Sequence, residues 1–175
     1  APSLIAQTII KDWPLLSGSL WVTVKITFSA LLLAIAGGVL LAVLFSQWKW
    51  VERSFFPFAG ILQVTPIVAI APLLLVYLDA QNAVLACAFI VAFFPILSNP
   101  VIGLASADRS LVELFQLYRA SRCRQLTLLR LPSALPHFLG GLKIGGGLAL
   151  TGAIVAAIAA GSAVQGTRLA FRTAE

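Results

Sequence analysis

Long apolar runs separated by short polar ones dominate the chain from residue 20 onward. They cover roughly Leu20–Phe45, Phe56–Leu78, Ala83–Leu97 and Phe138–Ala160. A helix needs about 20 mostly apolar residues to cross the hydrocarbon of a bilayer, so the third run is slightly short and the others suffice. None of the four alternates apolar and polar positions as a strand of a membrane barrel does. Lipid offers no partner to a backbone amide, and a helix satisfies its own. The pattern therefore predicts an all-α, polytopic membrane helix bundle.

The second and third runs are interrupted by Pro57, Pro66, Pro72 and Pro95. Each proline removes a backbone donor and kinks the helix that holds it. One reading is a kink that serves packing. The other is a helix bent around a passage, because broken backbone at membrane depth must be covered by protein or by a water-filled cavity. On that second reading Gln63, Thr65, Pro66 and Asn99 are the candidate pathway-lining residues. Gly141 and Gly145 in the fourth run, and Gly37, Gly38 and Ala42 in the first, have the small-residue spacing that lets helices approach closely, so both are expected to be packing surfaces. No Gly-Lys-Ser/Thr follows any glycine cluster, and ATP binding by this chain is not expected.

Composition agrees with lipid as the main solvent. The chain is 60% hydrophobic and 10% charged, whereas an average soluble domain is about 25% charged. The net charge of +6 fits the bias that keeps Lys and Arg in cytoplasmic loops, and no basic stripe with interleaved aromatics points to nucleic acid. Seven of the twelve bases fall in two segments. Lys49 and Arg53 lie in 46–54; Arg109, Arg119, Arg122, Arg124 and Arg130 lie in 106–137. With four crossings both segments share one side, and the positive-inside rule makes it cytoplasmic. Residues 1–19 and 161–175 are then expected outside as an N-terminal segment and a tail, flanking a transmembrane domain over 20–160. Ala1 as the first residue, with no Met anywhere, points to a piece of a longer protein or a processed one. Cys87 lies in an apolar run and Cys123 in a polar segment, so no disulfide is expected.

Residues 106–137 are too polar to span and too long for a turn. Leu111, Leu114, Phe115 and Tyr118 recur at helical spacing on one face, and the periodicity breaks at Arg119-Ala120-Ser121. A second amphipathic stretch follows and is expected to end at Pro132 and Pro136. Two short helices joined by a bend are predicted on the cytoplasmic side. Periodicity alone leaves them equally suited to resting on lipid headgroups or to docking a cytoplasmic partner.

This segment resembles the EAA loop of binding-protein-dependent ABC importer permeases. Glu113 stands at the Glu of that pattern, Arg119 at its glycine, Leu129 at its Ile and Leu131-Pro132 at its Leu-Pro. The runs Leu117-Tyr118-Arg119-Ala120-Ser121-Arg122, Leu131-Pro132-Ser133-Ala134-Leu135-Pro136 and Gly141-Leu142-Lys143-Ile144 look like the nitrate/taurine/sulfonate branch. So do Thr65-Pro66, Ala71-Pro72-Leu73 and Phe93-Phe94-Pro95-Ile96 with Asn99. The likeness covers nearly the whole chain from about Leu20. The departures are Leu114 and Phe115 in place of two alanines, which makes the face bulkier, and Arg119 in place of glycine, which is costly if that position is left-handed. The resemblance implies a type I-like transmembrane domain with a cytoplasmic coupling helix, in the bacterial inner membrane. It implies partners too: ATP-binding cassette ATPase subunits, a second permease subunit forming a homodimer, and an extracytoplasmic solute-binding protein. The coupling residues it implies are Leu111, Glu113, Leu114, Phe115, Tyr118, Arg119, Ala120, Ser121, Leu131 and Pro132. This branch usually has six crossings, so a first and a last are expected beyond the four.

The remaining polar residues add little. Lys25 and Lys143 lie near the ends of their runs, where a Lys can extend its amine to the interface, and His137 is expected at the interface too. Neither a catalytic motif nor a metal-ligand spacing occurs, and no enzyme activity or cofactor is expected. The alternative function is an ion-driven secondary transporter or channel fragment. Ion-coupled carriers place Asp, Glu or His within the membrane, and none of the four runs holds an acid well inside it. A third reading, an anchored assembly subunit with no passage, would show a bundle without a polar cavity.

Overall fold

The computed structural model describes residues 13–64 and 66–173. Helices α1 (Trp13–Gln47), α2 (Lys49–Val64), α3 (Ile67–Tyr77) and α4 (Ala80–Ala105) are followed by α5 (Arg109–Leu117) and α6 (Arg122–Gln125). A π-helical turn (Leu126–Arg130) then leads into α7 (Leu131–Thr173). No strand occurs among the described residues. Three helices are long and apolar enough to cross a membrane: α1, α4 and the continuous helix that includes α7.

Three buried clusters order the bundle along the membrane normal. One joins Ala30 of α1, Ala71 of α3, Val84 and Ala88 of α4 and Ala153 and Ala156 of α7. A middle one joins Ala34, Ala92, Ile96 and Ala149. The third joins Ala42 and Phe45 of α1, Ala59 of α2, Leu97 and Leu104 of α4 and Ala134 of α7. Helices α1 and α4 therefore run one way and α7 the other, with α2 and α3 returning together from the third cluster to the first. Trp21 on α1 and Trp48 just past its end are exposed and 27 residues apart, about 40 Å at helical rise, which matches a bilayer with its headgroup regions. Lys25 places its amine 5.4 Å from the Trp21 ring, an interfacial pairing of cation and aromatic.

The second crossing differs from the single span expected over 56–78. It consists of two helices of 16 and 11 residues, with extended Pro66 ahead of the second. Pro66 itself has extended backbone, φ −67° and ψ 116°, which takes it out of the helix, whereas Pro57 and Pro72 are carried inside α2 and α3. The third crossing continues to Ala105, eight residues beyond the expected Leu97. Ser98 and Asn99 mark a polar boundary in sequence, but Ser98 is buried and Asn99 donates its amide to the Pro95 carbonyl at 2.9 Å. Nor do Pro132 and Pro136 end a helix: it runs from Arg122 through α7. The π turn widens the ladder just before Pro132, with the Leu131 N–H bonding the Leu126 carbonyl.

Helices α4 and α7 pack through the expected small-residue surface. A Cβ on Gly145 would lie 2.6 Å from Ile96, and one on Gly141 would lie 2.8 Å from the Pro95 carbonyl and from Asn99. Gly38 of α1 meets Ile96 from the other side, with a Cβ there only 3.1 Å away. Close backbone contact of this kind supplies the dispersion that holds helices together where lipid removes most of the hydrophobic driving force.

Candidate functional site

The two basic segments meet at one end of the bundle. A cavity of about 200 Å³ there is lined by Ser46, Lys49 and Glu52 from the α1–α2 corner, by Leu104 of α4, by Val112 of α5 and by Arg130. Helix α5 closes this end, and its sequence explains both of its termini.

At the start, Asp108 accepts hydrogen bonds from the Ser110 hydroxyl at 2.6 Å and the Ser110 amide at 2.9 Å. Those bonds, the hydroxyl's first, hold the Asp108 carboxyl below the usual carboxylate range. At the finish, the Arg119 N–H bonds the Gln116 carbonyl and the Ala120 N–H bonds the Phe115 carbonyl, each at 2.9 Å. Arg119 has φ 51°, the one positive value outside glycine among the described residues. This is the paired closure that ends helices around a left-handed residue, with an arginine where glycine is usual. Ser121 then starts α6, its hydroxyl accepting from the Arg124 amide at 3.4 Å.

The apolar face of α5 is divided between two surroundings. Val112 and Phe115 are half-buried towards the chain's own body. Leu111 and Leu114 are exposed to 43% and 45%, and Tyr118 to 78%. Leu117 is 79% exposed on the adjoining flank, beside Leu114 at i+3. Glu113 pairs with Arg109 at 3.3 Å, both exposed, an arrangement of small energetic value in water. Ala120 is half-buried, whereas Arg119, Ser121, Leu131 and Pro132 are exposed. The candidate residues of α5 and its bend thus lie at the basic end of the bundle, while Leu131 lines a separate apolar hollow with Val39, Pro100 and Leu135. The long-range contact of Arg130 with Ser46, 3.3 Å from Nη1 to the carbonyl oxygen, was not visible in sequence.

The candidate pathway residues divide. Gln63 and Pro66 are exposed and share an open concave surface with Pro57, Gly60, Ile61 and Val64, beside the interruption of the second crossing. Thr65 lies outside the described residues. Asn99 is set against Gly141 in the α4–α7 contact.

The architecture has a known counterpart. Residues 34–174 match the family model of the binding-protein-dependent transport system inner membrane component. The chain belongs to that family. It is 37% identical over 115 residues to the riboflavin transport system permease protein RibX of Chloroflexus aurantiacus, covering 65% of this chain and 42% of that one. It is 29% identical over 127 residues to the nitrate import permease protein NrtB of Synechococcus elongatus, covering 72% and 45%. The chain thus matches less than half the length of these relatives. Its fold resembles a chain from the crystal structure of an amino acid ABC transporter with histidines, with a TM-score of 0.74 and 17% identity over 88% of this chain and 76% of that one. The chain is a multi-pass membrane protein of the ABC permease type, as the resemblance in its loop implied.

Proposed function

We propose that this chain forms the solute pathway of an ATP-driven importer of the bacterial inner membrane and couples it to a separate ATPase through α5. The observation that carries the reading is the exposed row Leu111, Leu114 and Tyr118, presented on a helix closed at both termini and set at the basic end of the bundle. An amphipathic helix with one flank anchored and one flank free suits a groove on a partner.

Four partners follow from this reading: a pair of ATP-binding cassette ATPase subunits on the cytoplasmic side, a second copy of the permease, and a solute-binding protein outside. The basic end, with Lys49, Arg53, Arg109, Arg122, Arg124 and Arg130, is then cytoplasmic. The Gln63–Pro66 surface is the part of the second crossing that suits the passage, because a broken helix with an exposed amide is expensive against acyl chains. Helices α1, α3, α4 and α7 contain no Asp or Glu, which disfavours ion coupling and favours an external energy source. The relatives named above carry solutes as unlike as riboflavin and nitrate, so the solute class stays open.

The test is capture of the ATPase expressed with the full chain. Parent protein should retain it through purification, and a Leu114→Ser/Tyr118→Ser double variant should lose most of it while inserting normally. Equal capture by both would assign α5 to the lipid surface instead.

A further inference from the structure

We infer that Arg130 is a positioning residue that ties the docking segment to the α1–α2 corner, so that a displacement of α5 and the π turn is delivered to the second crossing. The inference rests on the docking role proposed above and concerns what happens after docking.

Three observations carry it. The first is the bond itself. Helix α1 ends at Gln47 and α2 begins at Lys49, and the carbonyls at this corner are answered one by one. The Val43 carbonyl accepts from the Ser46 hydroxyl at 2.8 Å, and the Leu44 carbonyl from the Trp48 amide at 3.1 Å. The Trp48 carbonyl accepts from the Val51 and Glu52 amides at 3.0 and 3.2 Å. The Ser46 carbonyl accepts from a guanidinium 84 residues away. A cation there also faces the negative pole of the α1 dipole.

The second is the position of Arg130 on its own helix. It is the last residue of the π turn, the one place where the ladder from Arg122 into α7 is widened. π turns inside helices are rare and occur frequently at functional sites. Arg130 is half-buried, with its guanidinium donating to the Ser46 carbonyl.

The third is free volume. The cavity of about 200 Å³ lies between these parts, with Val112 of α5 on one wall and Ser46, Lys49, Glu52 and Arg130 on others. That space separates Val112 from the α1–α2 corner, and the Arg130–Ser46 bond runs from the docking segment to the corner beside it. The corner beyond leads directly into α2, which ends beside the Gln63–Pro66 surface.

The experiment uses the full chain with its ATPase in lipid nanodiscs, with Cys87→Ala and Cys123→Ser and a single cysteine replacing exposed Trp50 at the start of α2. In the parent, ATP should change the rate at which a water-soluble maleimide labels position 50. Arg130→Ala should abolish that change while the ATPase remains bound, and Arg130→Lys should restore part of it. A merely structural role would lower yield and ATPase capture but leave the ATP response of each assembled complex intact, and that result overturns the inference. Should Arg130→Ala not assemble, spin labels on cysteines replacing Trp50 and Leu128, in the same Cys87→Ala/Cys123→Ser background with Arg130 intact, decide the matter. Their separation should stay constant on ATP addition, and a separation that changes overturns the inference. Loss of ATPase from the Arg130-containing parent would instead count against the docking role itself.

Discussion

The backbone N–H of Ala120 reaches the carbonyl of Phe115 at 2.9 Å, closing α5 around a left-handed Arg119. A side chain in that conformation costs about 1–2 kcal/mol, and glycine avoids the cost while gaining chain entropy in the unfolded state of roughly 0.5–1 kcal/mol. Arg119→Gly should therefore raise stability by about 0.5–1 kcal/mol, and Arg119→Val should lower it by more than that, since a β-branched residue suits this conformation least. Thermal unfolding of the detergent-purified protein measures both. A Gly variant that melts earlier would show that the arginine makes contacts outweighing its strain.

The glycines of α7 should respond in opposite ways. A Cβ on Gly145 would meet Ile96 at 2.6 Å, whereas Gly147 has nothing within 4 Å. Gly145→Val forces α4 and α7 apart and should cost about 1–3 kcal/mol, as overpacking does. Gly147→Ala fills open space in a helix interior and should raise the stability of the isolated chain by about 0.5–1 kcal/mol. The comparison needs only melting midpoints of the two variants side by side. If Gly147→Ala assembles poorly in membranes but melts no earlier than the parent, that face meets a second copy.

The fold was legible where local chemistry decides, and less so where distant groups do. The four apolar runs and the glycine surface of α7 follow from hydropathy and spacing, and the left-handed residue at 119 stands where the loop pattern carries glycine. Helix α4 outran its expected end because Asn99 finds its partner in its own helix, which sequence polarity cannot reveal. Pro132 does not stop the helix: a π turn precedes it and the ladder continues into α7. The division of the α5 face, with Phe115 inward and Tyr118 outward, depends on what packs beneath. The bond from Arg130 to Ser46 links positions 84 apart, and no periodicity encodes it.

Asp108 should make the first turn of α5 sensitive to acid. Its carboxyl is held low by the Ser110 hydroxyl and amide, so the folded form binds its proton less readily than the unfolded chain. A group of lowered pKa contributes stability above its unfolded value and loses that contribution as pH falls through the folded one. Hydrogen exchange of the α5 amides, corrected for intrinsic rate, should show protection fading below the ordinary carboxylate range. Asp108→Asn keeps a capping oxygen without the charge and should remove the pH dependence. Protection that falls equally in both would place the acid effect elsewhere.

Cysteine labelling should separate the candidate passage from the lipid face. Gln63 is exposed beside the interruption of the second crossing, and Phe28 and Leu32 are 60% and 51% exposed on α1. If the Gln63 surface is wetted, a cysteine there reacts with a water-soluble maleimide in intact membranes, while one at Phe28 or Leu32 stays silent. A silent position 63 with a reactive position 32 would exchange the two assignments.

Phe115 and Tyr118 should fail in different ways. Phe115 is half-buried against its own chain, and Tyr118 is 78% exposed on the same amphipathic helix. Truncating Phe115 removes intramolecular packing, so Phe115→Ala should lower the melting midpoint of the isolated permease and weaken ATPase capture only as a consequence. Tyr118 has little to lose in the isolated chain. If α5 enters a groove, Tyr118 is its aromatic anchor, and truncating such an anchor costs about 2 kcal/mol or more of binding, roughly 30-fold in affinity. Tyr118→Ala should thus leave the melting midpoint unchanged and reduce bound ATPase sharply, with Tyr118→Phe retaining most of it because the ring supplies the contact. Measuring midpoint and capture on the same preparations separates the two effects. Equal capture by Tyr118→Ala and the parent, at equal midpoint, would mean that the exposed edge of α5 meets headgroups and that the partner engages another surface of this end.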